Sequence, residues 1–257
     1  MFEARFSNSI LLKRILDAIK DLVDDVNWLC TEDGIELQSM DSSHVALISF
    51  TLLPEACSLY TCTKPIRLGM NVNILSKIIK CAENDDSVVL RQSKDEASLE
   101  IEFESRSGSR RHEFAMNLME IDTQHMQIPD LEYTCSVKLP SSEFSRIVKD
   151  MATFGDIATL SVKDSQIQCT AIGDGGKSSI LVKQDKTAKA EKLWTDINCS
   201  TNTEMMFALK YLVAFTKAQP IADQVTLFMI AGSPLYVLYD MDAKGSVGFY
   251  LAPRVDE

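Results

Sequence analysis

Ser98-Leu99-Glu100-Ile101-Glu102-Phe103-Glu104 decides the fold class. Apolar and acidic side chains alternate without a break, and successive side chains of an extended strand point to opposite faces. The stretch is therefore a half-buried strand, with Leu99, Ile101 and Phe103 toward a core and the three glutamates toward water. Similar runs occupy 45–52, 88–92, 133–139, 158–163, 166–172, 179–184, 225–230, 235–240 and 247–252. Asp33-Gly34, Gly173-Asp174-Gly175-Gly176, Gly232-Ser233-Pro234 and Lys244-Gly245 separate them as turns. Connections this short imply antiparallel sheets.

Four segments switch to helical spacing: 9–23, 72–82, 141–153 and 205–217. The first and third begin about 130 residues apart, as do the second and fourth. Between them, 119–133 is acidic, contains Pro129 and has no clean period. The expected organisation is α+β: two similar domains, 1–118 and 134–257, joined by the connecting segment 119–133.

The chain has 257 residues and a net charge of −11, which excludes a globally basic nucleic-acid binder. The charge is not evenly spread. The four helical segments carry nine basic residues (Lys13, Arg14, Lys20, Lys77, Lys80, Arg146, Lys149, Lys210 and Lys217) and four acidic ones (Asp17, Asp21, Glu143 and Asp150). They are +5 locally, leaving −16 for the remainder. In projection, Leu12, Ile15, Leu16 and Ile19 fill one side of the first helix, while Lys13 and Lys20 lie within roughly 20° of each other on the opposite side. Spaced cations of this kind can touch phosphates without reading bases. Ordinary solvated helix faces are the competing explanation.

Other signatures are weak. Gly173–Ser178 has the glycines and lysine of a phosphate loop, but Ala171 breaks the pattern and Ile180-Leu181-Val182 continues as strand rather than helix. A hairpin turn is expected there. Asp240-x-Asp242-x-x-Gly245 lacks the distal acid of a calcium loop. His44, His112 and His125 are scattered, and no nucleophile–base pair stands out, so neither metal, cofactor nor enzymatic activity is expected. Seven cysteines without a C-x-x-C pair suggest buried or incidental thiols in a reducing compartment. The charged N-terminus lacks a signal-peptide core and no stretch suits a membrane helix, which points to the cytosol or nucleus.

Met1-Phe2-Glu3-Ala4-Arg5, the block Leu37-Gln38-Ser39-Met40-Asp41-Ser42-Ser43-His44-Val45, Leu118-Met119, Ile128-Pro129, Glu132-Tyr133 and Leu251-Ala252-Pro253-Arg254 carry a resemblance. With nearly constant spacing from end to end, the chain resembles the proliferating cell nuclear antigen family, the sliding clamps of eukaryotic DNA replication. The resemblance implies a nuclear, homotrimeric ring with sheets outside and the four helices facing duplex DNA, a processivity factor in replication and repair. The nine basic helix residues would touch phosphates loosely. Thr61-Cys62-Thr63-Lys64 lacks charge usual in the family's DNA-binding region, which places more weight on Lys77 and Lys80.

The resemblance also implies a pocket for short partner motifs (PIP boxes), a Gln followed by aliphatic and paired aromatic residues. Its residues would be Met40, His44, Val45, Met126, Ile128, Leu131, Pro234, Tyr250, Ala252 and Pro253. Partners would include DNA polymerase, the clamp loader, and flap endonuclease and ligase type proteins. The ring would close by pairing 109–117 of one subunit with 176–183 of the next, involving Arg110, Phe114, Met116, Ser178, Ile180 and Val182. Phe114 stands where the family usually has Tyr. The family's ubiquitin-accepting lysine lies in an Ala-Lys-Asp-Gly turn; here Val162-Lys163-Asp164-Ser165 makes Lys163 a displaced candidate. A subunit of a mixed checkpoint-type clamp, or an enzyme with an unrecognised site, are the alternatives.

Overall fold

The alternation at Ser98–Glu104 forms a strand, with Leu99, Ile101 and Phe103 buried and Glu104 exposed. It belongs to a computed structural model that describes residues 1–92, 97–122 and 131–254. In chain order the first half contains β1 (Phe2–Phe6), α1 (Ile10–Ile19), β2 (Asp25–Thr31), β3 (Gly34–Met40), β4 (Ala46–Leu52), β5 (Leu59–Cys62), β6 (Ile66–Asn71), α2 (Val72–Lys80), β7 (Ser87–Gln92), β8 (Ser98–Glu104) and β9 (Arg111–Asn117). The second contains β10 (Cys135–Pro140), α3 (Ser141–Ala152), β11 (Ile157–Lys163), β12 (Gln166–Gly173), β13 (Gly176–Lys183), β14 (Asp196–Cys199), β15 (Thr203–Ala208), α4 (Leu209–Phe215), β16 (Gln224–Met229), β17 (Leu235–Asp240) and β18 (Gly245–Leu251). Strand for strand and helix for helix, the two orders are the same.

Pairing repeats as well. In the first half β1 lies between β5 and β7, and β8 and β9 follow β7. In the second, β10 lies between β14 and β16, and β17 follows β16. Likewise β2 pairs with β3 and β6, as β11 pairs with β12 and β15. All these pairs are antiparallel. The fold is the α+β duplication that element order suggests in the sequence, with antiparallel sheets and four helices among the described residues.

The described residues form two compact units. One is built from Met1–Ser42, Ile48–Met126 and Met241–Val247, the other from Ser43–Leu47, Gln127–Asp240 and Gly248–Glu257. Each has its own core. In the first, Leu12, Ile15, Leu16 and Ile19 of α1 and Leu75 and Ile79 of α2 are buried. In the second, Phe144, Ile147, Val148 and Met151 of α3 and Leu212 and Phe215 of α4 are buried. Asn71 caps α2, its side chain accepting from Ile74 N–H at 3.0 Å.

Some boundaries differ from the sequence reading. The fourth helix begins at Leu209, not 205. Met205 and Phe207 are buried and alternate with Glu204 and Met206 in β15, which pairs with β11. Burial of every second residue outweighed the helical spacing of the segment. The glycine run is a hairpin turn, as anticipated: Gly173 pairs with Gly176, and Ser178 lies in β13. Of the connecting segment, 123–130 lies outside the described residues. Its start docks on the first unit: Met119 N–H donates to Gly69 O at 2.9 Å, and Asn27 Nδ2 donates to Ile121 O at 2.8 Å. A Cβ at position 69 would collide with the Met119 carbonyl, so glycine permits this approach.

The turn joining β11 to β12 holds Asp164 and Ser165 both left-handed, at φ 48° and 60°. This geometry matches the twist of a two-residue hairpin and favours glycine. Ser165→Gly is expected to stabilise the protein by about 0.5 kcal/mol, the relief of the Cβ penalty less the unfolded-state entropy. A raised urea midpoint at constant slope is the readout.

Candidate functional site

The helix pair of the first unit is held by charge as well as by apolar contact. Asp17 Oδ1 of α1 accepts from Lys20 Nζ at 2.6 Å and from Lys80 Nζ of α2 at 2.8 Å. Burial works to raise the Asp17 pKa, but the hydrogen bonds and charges of the two lysines outweigh it and hold the carboxyl below its ordinary value. The same contact with Asp17 raises the Lys20 pKa. Lys13 Nζ donates to Ala82 O at 2.7 Å and Asn84 Oδ1 at 3.0 Å, beyond the end of α2. Arg14 and Lys77 are exposed and, among the described residues, form no ion pair. The five cations therefore occupy one helix pair, three of them tied down by local partners.

The second unit repeats this pattern with looser fixing. Arg146 and Lys149 on α3 are exposed; Arg146 pairs one turn back with Glu143 at 2.7 Å. Lys210 on α4 lies 4.8 Å above the Tyr211 ring, and Lys217 is exposed just beyond the helix. Short helices with one buried face leave their polar positions to solvent. Here those positions include Arg146, Lys149 and Lys210, with Ser142 and Asp150 beside them on α3.

A sheet edge ends each unit. In the first, β9 is the outermost strand of β5-β1-β7-β8-β9. Phe114 is half-buried on β9 with its ring 5.5 Å from Phe103, and Met116 is buried. Arg110, just before β9, pairs with Glu83 at 2.8 Å and with buried Asp86 at 3.2 Å. In the second, β13 is the outermost strand of β13-β12-β11-β15. Ser178, Ile180 and Val182 are half-buried on one face, and Leu181 is 50% exposed on the other. Among the described residues nothing pairs with the outer side of either strand.

The residues expected to receive a peptide divide between the units. Met40, at the end of β3, is half-buried in the first unit. His44, Val45, Leu131, Pro234, Tyr250, Ala252 and Pro253 belong to the second. Met126 and Ile128 lie outside the described residues. His44 adopts φ 56°, and Ala252 N–H donates to Val45 O at 3.0 Å, so the 44–45 and 252–253 segments run side by side. Pro234 and Ala252 are exposed; Leu131, Tyr250 and Pro253 are half-buried. Tyr250 stacks on Tyr236 at 4.2 Å between centroids, and Phe228 and Tyr133 extend the row. Burial raises the pKa of Tyr250 and pushes that of Tyr133 up to about 12, so both hydroxyls stay protonated at neutral pH. Sequence reasoning missed Phe228 and Tyr236. Their signal was a large aromatic residue on the wet side of each of two alternating strands.

Lys163, at the end of β11, is exposed, with Nζ 3.9 Å from Asp164 Oδ2. The cysteine reading needs correction. Cys135 and Cys199 stand directly opposite each other on β10 and β14, with Cα atoms 4.1 Å apart, and form a disulfide. Strand register, invisible in the spacing of 64 residues, brings them together. Cys30 and Cys169 are buried free thiols. Among the described residues no three His, Cys, Asp or Glu side chains converge as a metal site, and no helix is long and apolar enough to cross a membrane.

Two halves of one topology, each with a cationic helix pair, define an α+β protein of the DNA-clamp class. Residues 1–126 match the family described as proliferating cell nuclear antigen, N-terminal domain, and residues 127–254 match its C-terminal domain. The chain belongs to the proliferating cell nuclear antigen family, and its function is of the sliding-clamp, processivity-factor kind in DNA replication.

The Asp17 cluster yields a pH prediction. A carboxyl whose folded pKa is depressed stabilises the fold above its unfolded pKa, and that contribution is lost as pH falls through the folded value. Asp17→Asn should therefore flatten the stability profile below about pH 4. The effect should stay under about 1 kcal/mol, because Asp17 and Lys80 are nearly half exposed. Urea unfolding from neutral to acid pH measures it.

Proposed function

We propose that the chain is a non-enzymatic nuclear clamp that closes as a homotrimer around duplex DNA and tethers replication and repair enzymes. The observation that carries this reading is the segregation of charge: nine cations on or just beyond four helices, against four acidic residues there, in a chain whose net charge is −11. Each helix pair faces the duplex and meets phosphates through long, mobile side chains. Such contacts are blind to sequence and permit sliding. Topological linkage then supplies processivity that weak contact cannot. Two clamp domains, 1–118 and 134–257, flank the connecting segment 119–133.

The ring closes by pairing β9 of one subunit with β13 of the next. An exposed strand edge is a template for association, and head-to-tail pairing that closes on itself removes it. Arg110, Phe114 and Met116 on one side meet Ser178, Ile180 and Val182 on the other. Partner peptides of DNA polymerase, clamp loader, flap endonuclease and ligase type proteins dock an aromatic pair against His44, Val45, Leu131, Pro234, Tyr250, Ala252 and Pro253 of the second unit; the resemblance adds Met40, Met126 and Ile128. Lys163 is the candidate ubiquitin acceptor.

Light scattering on a sizing column tests the assembly. A stable ring has a mass of about 86 kDa, three times the 28.7 kDa chain. Ile180→Asp should shift that mass to the monomer while preserving the circular dichroism of the subunit. A monomer in the unaltered protein would instead point to a ring that needs a loader or other subunits. Encirclement predicts retention on circular duplex and loss after the circle is cut; equal retention on both would overturn it. Lys77→Ala should reduce the slope of log K against log salt by about 0.9 for the phosphate contact removed. If Lys163 is the acceptor, Lys163→Arg abolishes the damage-induced ubiquitin conjugate; an unchanged conjugate would refute the assignment.

A further inference from the structure

Tyr236 is the hub of the aromatic row on the second unit. Its ring lies 4.2 Å from Tyr250 with an interplanar angle of 8°, 5.6 Å from Phe228 at 20°, and 6.3 Å from Tyr133 at 24°. It reaches this position because residue 248 has no side chain. A Cβ at Gly248 would stand 2.6 Å from Tyr236 Cε2 and 2.9 Å from its hydroxyl oxygen. Gly248 and Tyr250 share a face of β18, two residues apart, so the Tyr236 ring fills the place that a side chain at 248 would take. Tyr250 is thereby held on one flank by a parallel ring.

We propose that Tyr236, seated over Gly248, is a positioning residue for the partner-peptide surface. It fixes the Tyr250 ring in the orientation that receives an aromatic side chain, and so sets a preference for aromatic over aliphatic anchors. The inference rests on the reading above that Tyr250 contributes to peptide binding. Two features connect the row to that surface. Tyr250 is flanked in sequence by Ala252 and Pro253, which run beside Val45, and its half-buried ring leaves area that a further ring can cover. Aromatic rings add to an existing array in offset or edge-on geometry, whereas an aliphatic chain gains little from ring orientation. A ring already immobilised need not be ordered when the peptide arrives.

The test uses the intact chain and two synthetic peptides. One carries Gln followed by an aliphatic residue and paired phenylalanines; in the other, leucines replace the phenylalanines. Tyr236→Val should weaken the aromatic peptide about three- to tenfold, the cost of ordering one side chain on binding, and leave the leucine peptide unchanged. Tyr236→Phe keeps the stack and should restore most of the affinity. Gly248→Ala should reproduce the loss with Tyr236 still present, and it carries the test if Tyr236→Val fails to fold. Equal weakening of both peptides, or no change in Tyr236→Val and Gly248→Ala, overturns the positioning role. If the unaltered protein binds neither peptide, the peptide-surface reading itself falls and takes this inference with it. If it binds the aromatic peptide and the variants match it, the positioning role alone fails.

Discussion

Four helices of ten, nine, twelve and seven residues cannot hold themselves together in water. They exist because each buries an apolar stripe: Leu12, Ile15, Leu16 and Ile19 on α1, Leu75 and Ile79 on α2, Phe144, Ile147 and Val148 on α3, and Leu212 and Phe215 on α4. Fully burying one such side chain is worth about 1.5–3 kcal/mol, far more than intrinsic helix propensity supplies. The same packing dictates where the charges go. Once the apolar stripe is committed to the core, Arg14, Lys77, Arg146, Lys149 and Lys210 have only the opposite face to occupy. Folding and the display of positive charge are one event.

The duplication extends this constraint to the strand edges. Because both halves have one order of elements and one pairing scheme, β9 in the first half corresponds to β18 in the second, and β13 corresponds to β4. The edges proposed to meet between subunits are therefore not arbitrary surfaces. They are the terminal strand of one repeated sheet and the terminal strand of the other. Their half-buried residues include apolar ones, Phe114 on β9 and Ile180 and Val182 on β13, beside the polar His112 and Ser178. Arg110 holds the start of β9 through Glu83 and buried Asp86, which fixes one end of the edge before any partner arrives.

Much of this was legible in the sequence, for physical reasons that differ by element. Ser98–Glu104 was read to the residue because its wet face is wholly polar, three of its four residues acidic, and its dry face wholly apolar, so one register alone is tolerable. Helices α1, α2 and α3 were legible because cations mark the face opposite the apolar stripe. The start of α4 was not: Met205, Met206 and Phe207 are all apolar, so their alternate burial does not show as alternate polarity and the helical spacing that follows runs on into them. The Cys135–Cys199 disulfide and the Tyr133–Phe228–Tyr236–Tyr250 row were illegible for another reason. Both depend on which residues stand opposite across neighbouring strands, and register is a property of pairing rather than of any single segment. The resemblance identified residues one at a time, and it could not identify Tyr236, whose role depends on the absence of a side chain at 248.

The carboxylates within the helix pairs temper the cations rather than merely balance them. Asp17 takes the ammonium groups of both Lys20 and Lys80, Lys13 is committed to the Ala82 and Asn84 oxygens, and Glu143 takes one nitrogen of Arg146. On the proposed reading, four of the nine cations would reach a phosphate only by exchanging one polar partner for another. Exchange of this kind gains little free energy, because an exposed ion pair is itself worth at most about 1 kcal/mol. A surface with every cation unopposed would release more counterions and bind more tightly at rest. A clamp needs the reverse: an even, shallow potential along the duplex, in which the loss of one phosphate contact is compensated by the recovery of an internal one. The Asp17 cluster has this property in its geometry, since one carboxylate can release either lysine while keeping the other.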